Sequence, residues 1–189
     1  MKKNSDYSEG EWMLRLQQGE ANALASLMRI HYNDLYNYGS RFTKDGRLIK
    51  DCIQEVFISL WQRRETAGNI LSPKYYLLRA IRNKILKTLN KNARISTEQL
   101  SEEYDFFYEF SIEKMIIEKQ MSEEKARKLK KTLSLLSKRQ SEIIYLKFYQ
   151  HLDHGQIAEL MHVSRQSVYN LLHEAIHKLR SLWHAELAH

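Results

Sequence analysis

The chain has one cysteine, one proline and six glycines in 189 residues, and each scarcity excludes something. A lone Cys52 forms no intrachain disulfide and supplies no cysteine-built metal site. So little Pro and Gly argues for helices and against a turn-rich β architecture. No apolar run in the sequence approaches the ~20 residues needed to cross a bilayer. The N-terminus also lacks the apolar core of a signal peptide, so no direct membrane insertion is expected and the cytoplasm is the default location. A Gly-rich phosphate loop is missing, which leaves nucleotide hydrolysis without a cradle. No positioned Ser/His/Asp or Cys/His set stands out. Neither a catalytic site nor a cofactor is expected.

What is present is hydrophobic content and positive charge. A hydrophobic fraction of 43% suffices for real cores, and the length has room for two small domains. The formal net charge is +7, which suits an anionic partner. Its distribution says more. Between 74 and 94 stand Lys74, Arg79, Arg82, Lys84, Lys87, Lys91 and Arg94 with no acid. From 95 to 124 there are nine acids against Lys114 and Lys119. From 125 to 147 the sign reverses again, eight basic residues facing only Glu142. Two basic blocks around an acidic middle read as two anion-binding modules with a connector of a different kind.

The stretch 153–180 reads as a helix-turn-helix. Asp153 with Gln156 three residues later has capping-box spacing, and Ile157, Ala158, Leu160 and Met161 follow as an apolar face. The small Ala158 lets two helices cross closely. After His162-Val163, Ser164 is a good N-cap for a second helix. Val168, Leu171, Leu172, Ala175, Ile176, Leu179 and Leu182 recur there at the spacing of a buried stripe. The opposite face, near the helix start, keeps Arg165, Gln166, Tyr169, Asn170 and His173. Arg pairs bidentately with guanine, and Asn or Gln with adenine, from the first turns of such a helix. The helical pattern alone is shared with proteins that never touch DNA.

Four helices are expected in a first domain at 8–92. They cover about 9–18 (Trp12, Met13, Leu16 inward, Gly19 as C-terminal cap), 21–40, 48–64, and a last one from Ser72-Pro73 onward. The fourth carries Tyr76, Leu77, Ala80, Ile81, Ile85 and Leu89 on its apolar stripe, and a loop at 65–71 precedes it. The span 93–122 is read as a linker with an aromatic cluster at 104–110 and partial helix from Ser111. A second domain at 123–187 holds a helix ending near Leu136, a capping box at Ser137 and Gln140, and the helix-turn-helix. The fold class is all-α, two small helical domains on an acidic linker.

These segments resemble, in order, the small bacterial sigma factors of the extracytoplasmic-function (ECF) type. Asp-Cys-Ile-Gln-Glu-Val-Phe-Ile-Ser-Leu-Trp at 51–61 is similar to the family's segment that docks on core RNA polymerase. Tyr-Leu-Leu-Arg-Ala-Ile-Arg-Asn at 76–83 is similar to the segment that melts and holds the minus-ten element of promoter DNA. Leu-Ser-Lys-Arg-Gln at 136–140, Ile157-Ala158 and the helix after Ser164 are similar to the domain that reads the minus-thirty-five element.

The resemblance implies polymerase binding by Asp51, Gln54, Glu55, Ile58 and Trp61. The first four are three or four residues apart, so they form one strip on a helix. It implies minus-ten contacts from Asn69, Lys74, Tyr75, Arg79, Arg82, Asn83 and Lys87, where bases stack on rings and charge tracks phosphates. The loop at 65–71 is the implied pocket for a flipped base. Minus-thirty-five contacts fall to Arg139, Ser164, Arg165, Gln166, Ser167, Tyr169, Asn170 and His173. The implied partners are core RNA polymerase, promoter DNA and an anti-sigma factor. The acidic middle fits the linker that runs through polymerase, and fits a solvated tether equally.

The sequence departs from the family pattern in three places. Ser137 stands where Pro is usual, His154-Gly155 where acids open the first motif helix, and His162 where the turn has Gly. Two other readings stand beside the sigma factor. A helix-turn-helix regulator that does not join polymerase would leave 51–61 and 76–83 unexplained. His-Glu-Ala-Ile-His at 173–177 matches a zinc-hydrolase pattern, but it sits inside the recognition helix and no third ligand is signalled.

Overall fold

The computed structural model describes residues 7–92, 104–107 and 122–185. All regular structure among these residues is helical, and the chain divides into two compact units, 1–103 and 104–189. In the first, α1 spans Glu9–Gln17, α2 Ala21–Gly39, α3 Gly46–Gln62 and α4 Pro73–Asn92, with a 3-10 turn at Arg64–Asn69 between α3 and α4. In the second, α5 spans Glu123–Ser134, α6 Lys138–Phe148, α7 His154–Met161 and α8 Arg165–Ala185.

The helix ends follow from local chemistry. Ser8 and Glu11 close a capping box at the start of α1. At its end Gly19 takes φ +84°, with bonds from Gly19 N–H to the Leu16 carbonyl and from Glu20 N–H to that of Arg15, a Schellman closure. Helix α3 begins earlier than the expected 48, because the Asp45 carboxylate accepts from the amides of Arg47 and Leu48, both at 3.0 Å. The Ser72 carbonyl takes the first bond of α4, from Tyr76 N–H. The loop expected at 65–71 is largely the 3-10 turn, pinned by Gln17 Nε2 donating to the Glu65 carbonyl at 2.7 Å and by buried Ala67.

The core of the first unit is built from Trp12, Met13 and Leu16 on α1, Leu27, Leu35 and Tyr38 on α2, Ile49, Ile53 and Leu60 on α3, and Leu77, Leu78, Ile81 and Ile85 on α4. The apolar stripe of α4 differs from expectation by a small rotation. Leu78 is fully buried, whereas Tyr76 and Ala80 are half-buried at the edge facing α3. Cys52 is buried beside Thr88, and burial pushes its thiol pKa up, so it offers no ready thiolate.

In the second unit α8 packs on α5, α6 and α7. Both expected capping boxes form, Ser137 with Gln140 and Asp153 with Gln156. Ser164 accepts from Ser167 N–H at 3.0 Å to start α8. His162 occupies the turn in the left-handed conformation, φ 55° and ψ 45°, the geometry for which glycine is the usual choice. Part of the span read as linker belongs to this unit: Phe106 is buried, its ring edge-on to Tyr145. The partial helix expected from Ser111 lies outside the described residues.

Two predictions follow from the first unit. A Cβ on Gly39 would lie 2.8 Å from Ile49 Cγ2 and 2.9 Å from Ile85 Cδ1, so α2, α3 and α4 meet at that residue only because it has no side chain. Gly39→Ala should cost about 1–3 kcal/mol, read as a lower urea midpoint. His31 is buried with Nε2 3.6 Å from the Glu9 carboxylate, and desolvation lowers its pKa below the ordinary 6.5 despite that acid. A depressed histidine pKa means the unfolded chain binds the proton first. Its contribution to stability is therefore intact above pH 6.5 and is lost as pH falls from there toward the folded value. The urea midpoint should drop on acidification across that window, and His31→Gln should flatten the drop.

Candidate nucleic-acid interface

Helix α3 buries Ile49, Cys52, Ile53, Val56, Phe57 and Leu60, which turns the rest of its surface outward. Asp51, Gln54, Glu55 and Ile58 are all exposed, Ile58 to 46%. Trp61 is half-buried, with the Arg64 guanidinium 5.0 Å above its ring. The strip is therefore a polar surface with an apolar centre, held on a rigid helix.

On α4 the residues Tyr75, Arg79, Asn83 and Lys87 recur every four positions and form one slanted ridge. Arg79, Asn83 and Lys87 are exposed and Tyr75 is half-buried. At a rise of ~1.5 Å per residue the ridge runs ~18 Å. Lys74, half-buried, is paired with Asp34 at 3.3 Å, which offsets part of its charge. Asn69 is exposed at the end of the 3-10 turn.

Arg82 is a correction. It is 4% exposed, on the inner side of α4 with Leu78 and Ile85. A guanidinium so covered cannot follow a phosphate backbone. Residues 79 and 82, three apart, look alike in a charge count, but the stripe of α4 passes through the second.

The structure brings the strip and the ridge together. Lys84 forms an ion pair with Glu55 across the two helices. That pair sits in a groove of about 440 Å³, whose lining includes Ile58, Gln62, Tyr76, Asn83 and Lys87. Gln62 was not expected in this surface, and Tyr76 was expected on the apolar stripe. Nothing local in the sequence signals the pairing of positions 55 and 84, which depends on the α3–α4 register.

In the second unit the start of α8 presents Arg165, Gln166, Tyr169, Asn170 and His173, all exposed. Gln166 Nε2 donates to Asn170 Oδ1 at 3.0 Å, holding the two amides in one orientation. The Ser164 hydroxyl serves the cap and lies 2.8 Å from that of Ser167, so both serines are engaged at the helix start. Tyr169 is 61% exposed and its ring stands edge-on to His154 at 5.6 Å. Gly155 leaves the space that Arg165 uses: a Cβ there would lie 3.1 Å from Arg165 Nη2. The unexpected His154-Gly155 pair thus props two side chains of the exposed face. Arg139 is half-buried on α6.

The rings of His173 and His177 stack at 6.5 Å. Among the described residues no group of three or more His, Cys, Asp or Glu is placed to hold a metal ion. Glu174 instead accepts from Gln140 Nε2 at 3.4 Å. No helix among the described residues is long and apolar enough to cross a membrane.

Comparison with known proteins gives this arrangement a frame. Residues 27–95 match the family model for sigma-70 region 2, and residues 126–179 the model for sigma-70, region 4. No curated protein matches the chain. Among solved structures, CnrH in complex with the cytosolic domain of CnrY is 18% identical with a TM-score of 0.56, covering 94% of this chain and 97% of that one. The sigma factor RpoE, solved with the anti-sigma factor NepR from Bartonella quintana, is 15% identical with a TM-score of 0.56, covering 82% and 93%. At these identities the likeness carries the fold.

Proposed function

Because the chain belongs to the sigma-70 family, as a sigma factor of the extracytoplasmic-function type that binds core RNA polymerase and directs promoter-specific initiation, we propose a division of labour among its exposed faces. The strip Asp51, Gln54, Glu55, Ile58 and Trp61 docks on polymerase. Ile58 supplies the apolar centre of that contact and the carboxylates meet a basic partner surface, a pattern of apolar core and polar rim usual at interfaces.

The α4 ridge, with Tyr75, Arg79, Asn83 and Lys87, holds the opened minus-ten strand, joined by Asn69 and Lys74. Lys84, although paired with Glu55, lies in the groove beside it. Stacking on Tyr75 would contribute about 1–3 kcal/mol per base, and the cations follow the phosphates. The face of α8 reads the minus-thirty-five element. Arg165, Gln166 and Asn170 are the base-reading candidates, and on this proposal Ser164, Ser167, Tyr169, His173 and Arg139 contact the DNA backbone.

The single observation that carries this reading is the order and placement of the two matched regions. Region 2 lies in a unit with a polar strip and a basic ridge, and region 4 lies in a separate helix-turn-helix unit. We propose domains at 8–92 and 123–187 joined by a connector at 93–122, of which 104–106 packs on the second unit. The protein acts by recruiting polymerase and carries out no bond chemistry of its own, and the cytoplasm, where polymerase works, is its place. An anti-sigma factor is the further expected partner, since both structural relatives were solved with a bound partner, NepR being an anti-sigma factor.

Arg165→Ala and Asn170→Ala should each weaken minus-thirty-five recognition by about 1–3 kcal/mol, roughly fivefold to 150-fold in promoter preference. Their effect should be confined to bases of that element. Competition binding of polymerase holoenzyme to promoter variants checks this, and unchanged preference in both variants would count against the α8 face.

A further inference from the structure

The polymerase and DNA surfaces leave one constellation unused. Three consecutive connector residues each meet a different partner on or beside α6. The Tyr104 hydroxyl donates to the Glu142 carboxylate, and Glu142 is fully buried. Asp105 pairs with Lys138 Nζ at 2.6 Å. Phe106 is 5% exposed, with its ring edge-on to Tyr145 at 6.1 Å. The receiving surface is itself braced: Gln150 Nε2 donates to the Tyr145 hydroxyl at 2.9 Å, and Tyr145 stacks on Tyr149. The next residue, Phe107, is 44% exposed, so the contact is specific to the three before it.

We propose that α6 carries a binding site for an aromatic–acidic–aromatic segment, filled by the chain's own Tyr104-Asp105-Phe106, and that this docking is a latch on the connector. The chemistry is matched residue by residue: a buried carboxylate for a phenol, an ammonium for an acid, and an aromatic edge for an aromatic ring. An acidic connector without such anchors would be a solvated tether from Asn92 to Ser122. Docked, the span from Asn92 to the first anchored residue ends at Tyr104.

Twelve residue steps reach at most roughly 40 Å, whereas the thirty steps to Ser122 reach roughly 100 Å. The latch therefore shortens the length of chain left between the two matched regions. On the reading of the chain as a sigma factor, it decides which separations of the two promoter elements can be bridged. Strap release is then a step that polymerase binding must drive, since the same connector cannot both lie on α6 and thread a channel.

The test uses the free full-length chain, so its outcome does not depend on polymerase or DNA. With 4-fluorophenylalanine at position 106, the fluorine resonance should lie well away from that of a synthetic peptide spanning 102–109. It should move to the peptide position when Tyr104→Ala and Asp105→Lys are introduced together. Both changes are in the 104–106 segment and alter no residue of α6. Dyes on Arg29→Cys and Ser181→Cys should show a lower transfer efficiency in Phe106→Ala than in the parent chain. A wild-type resonance at the peptide position, a resonance unmoved by the strap variant, or equal transfer efficiencies would overturn the latch.

Discussion

The packing of α3 against α4 is the constraint on which the first unit's surfaces depend. Val56, Phe57 and Leu60 on one helix and Leu77, Leu78, Ile81 and Ile85 on the other are buried. Each large side chain so removed from water contributes about 1.5–3 kcal/mol. The Glu55–Lys84 ion pair across the same two helices is partly exposed, and such pairs contribute about 0–1 kcal/mol. Apolar packing therefore sets the rotation of both helices, and the ion pair records it. Once that rotation is fixed, a 3.6-residue period leaves Asp51, Gln54, Glu55 and Ile58 outward on α3 and Arg79, Asn83 and Lys87 outward on α4. The proposed polymerase strip and DNA ridge are the remainders of a core.

The second unit reaches a similar end through its helix termini. Short helices such as α7, eight residues from His154 to Met161, have little propensity to form alone. Here the Asp153–Gln156 box, the left-handed His162 and the Ser164 cap fix where α7 stops and α8 starts. The angle of the turn then decides which side chains of α8 leave the core. Gly155 under Arg165 and His154 beside Tyr169 tie the exposed face to the preceding helix, so the side chains proposed to read DNA stand on a braced surface.

Most of the helical framework was legible in the sequence because its signals are local. Capping boxes, the Gly19 closure and three-four apolar spacing are each written within a few residues. Long-range arrangement was less so. Arg82 resembles Arg79 in any charge tally, and only the rotation of α4 buries it. The pairing of Glu55 with Lys84 and the docking of Phe106 on Tyr145 join positions dozens of residues apart. In the connector, acidity fitted a polymerase linker and a solvated tether equally, and a hydrogen bond, an ion pair and one ring contact seat 104–106 on the second unit. The exposed face of α8 was easier, since a polar arc opposite a buried stripe follows from periodicity alone.

The central claim is that these two units act together on polymerase and promoter. The most direct measurement is transcription in vitro by core RNA polymerase, with and without the protein, on a library of promoter fragments. The account predicts new transcripts starting at a fixed distance from a shared two-part element, together with co-elution of the protein and polymerase. No gain in initiation and no co-elution would contradict it, and would leave a helix-turn-helix protein that reads DNA without joining polymerase.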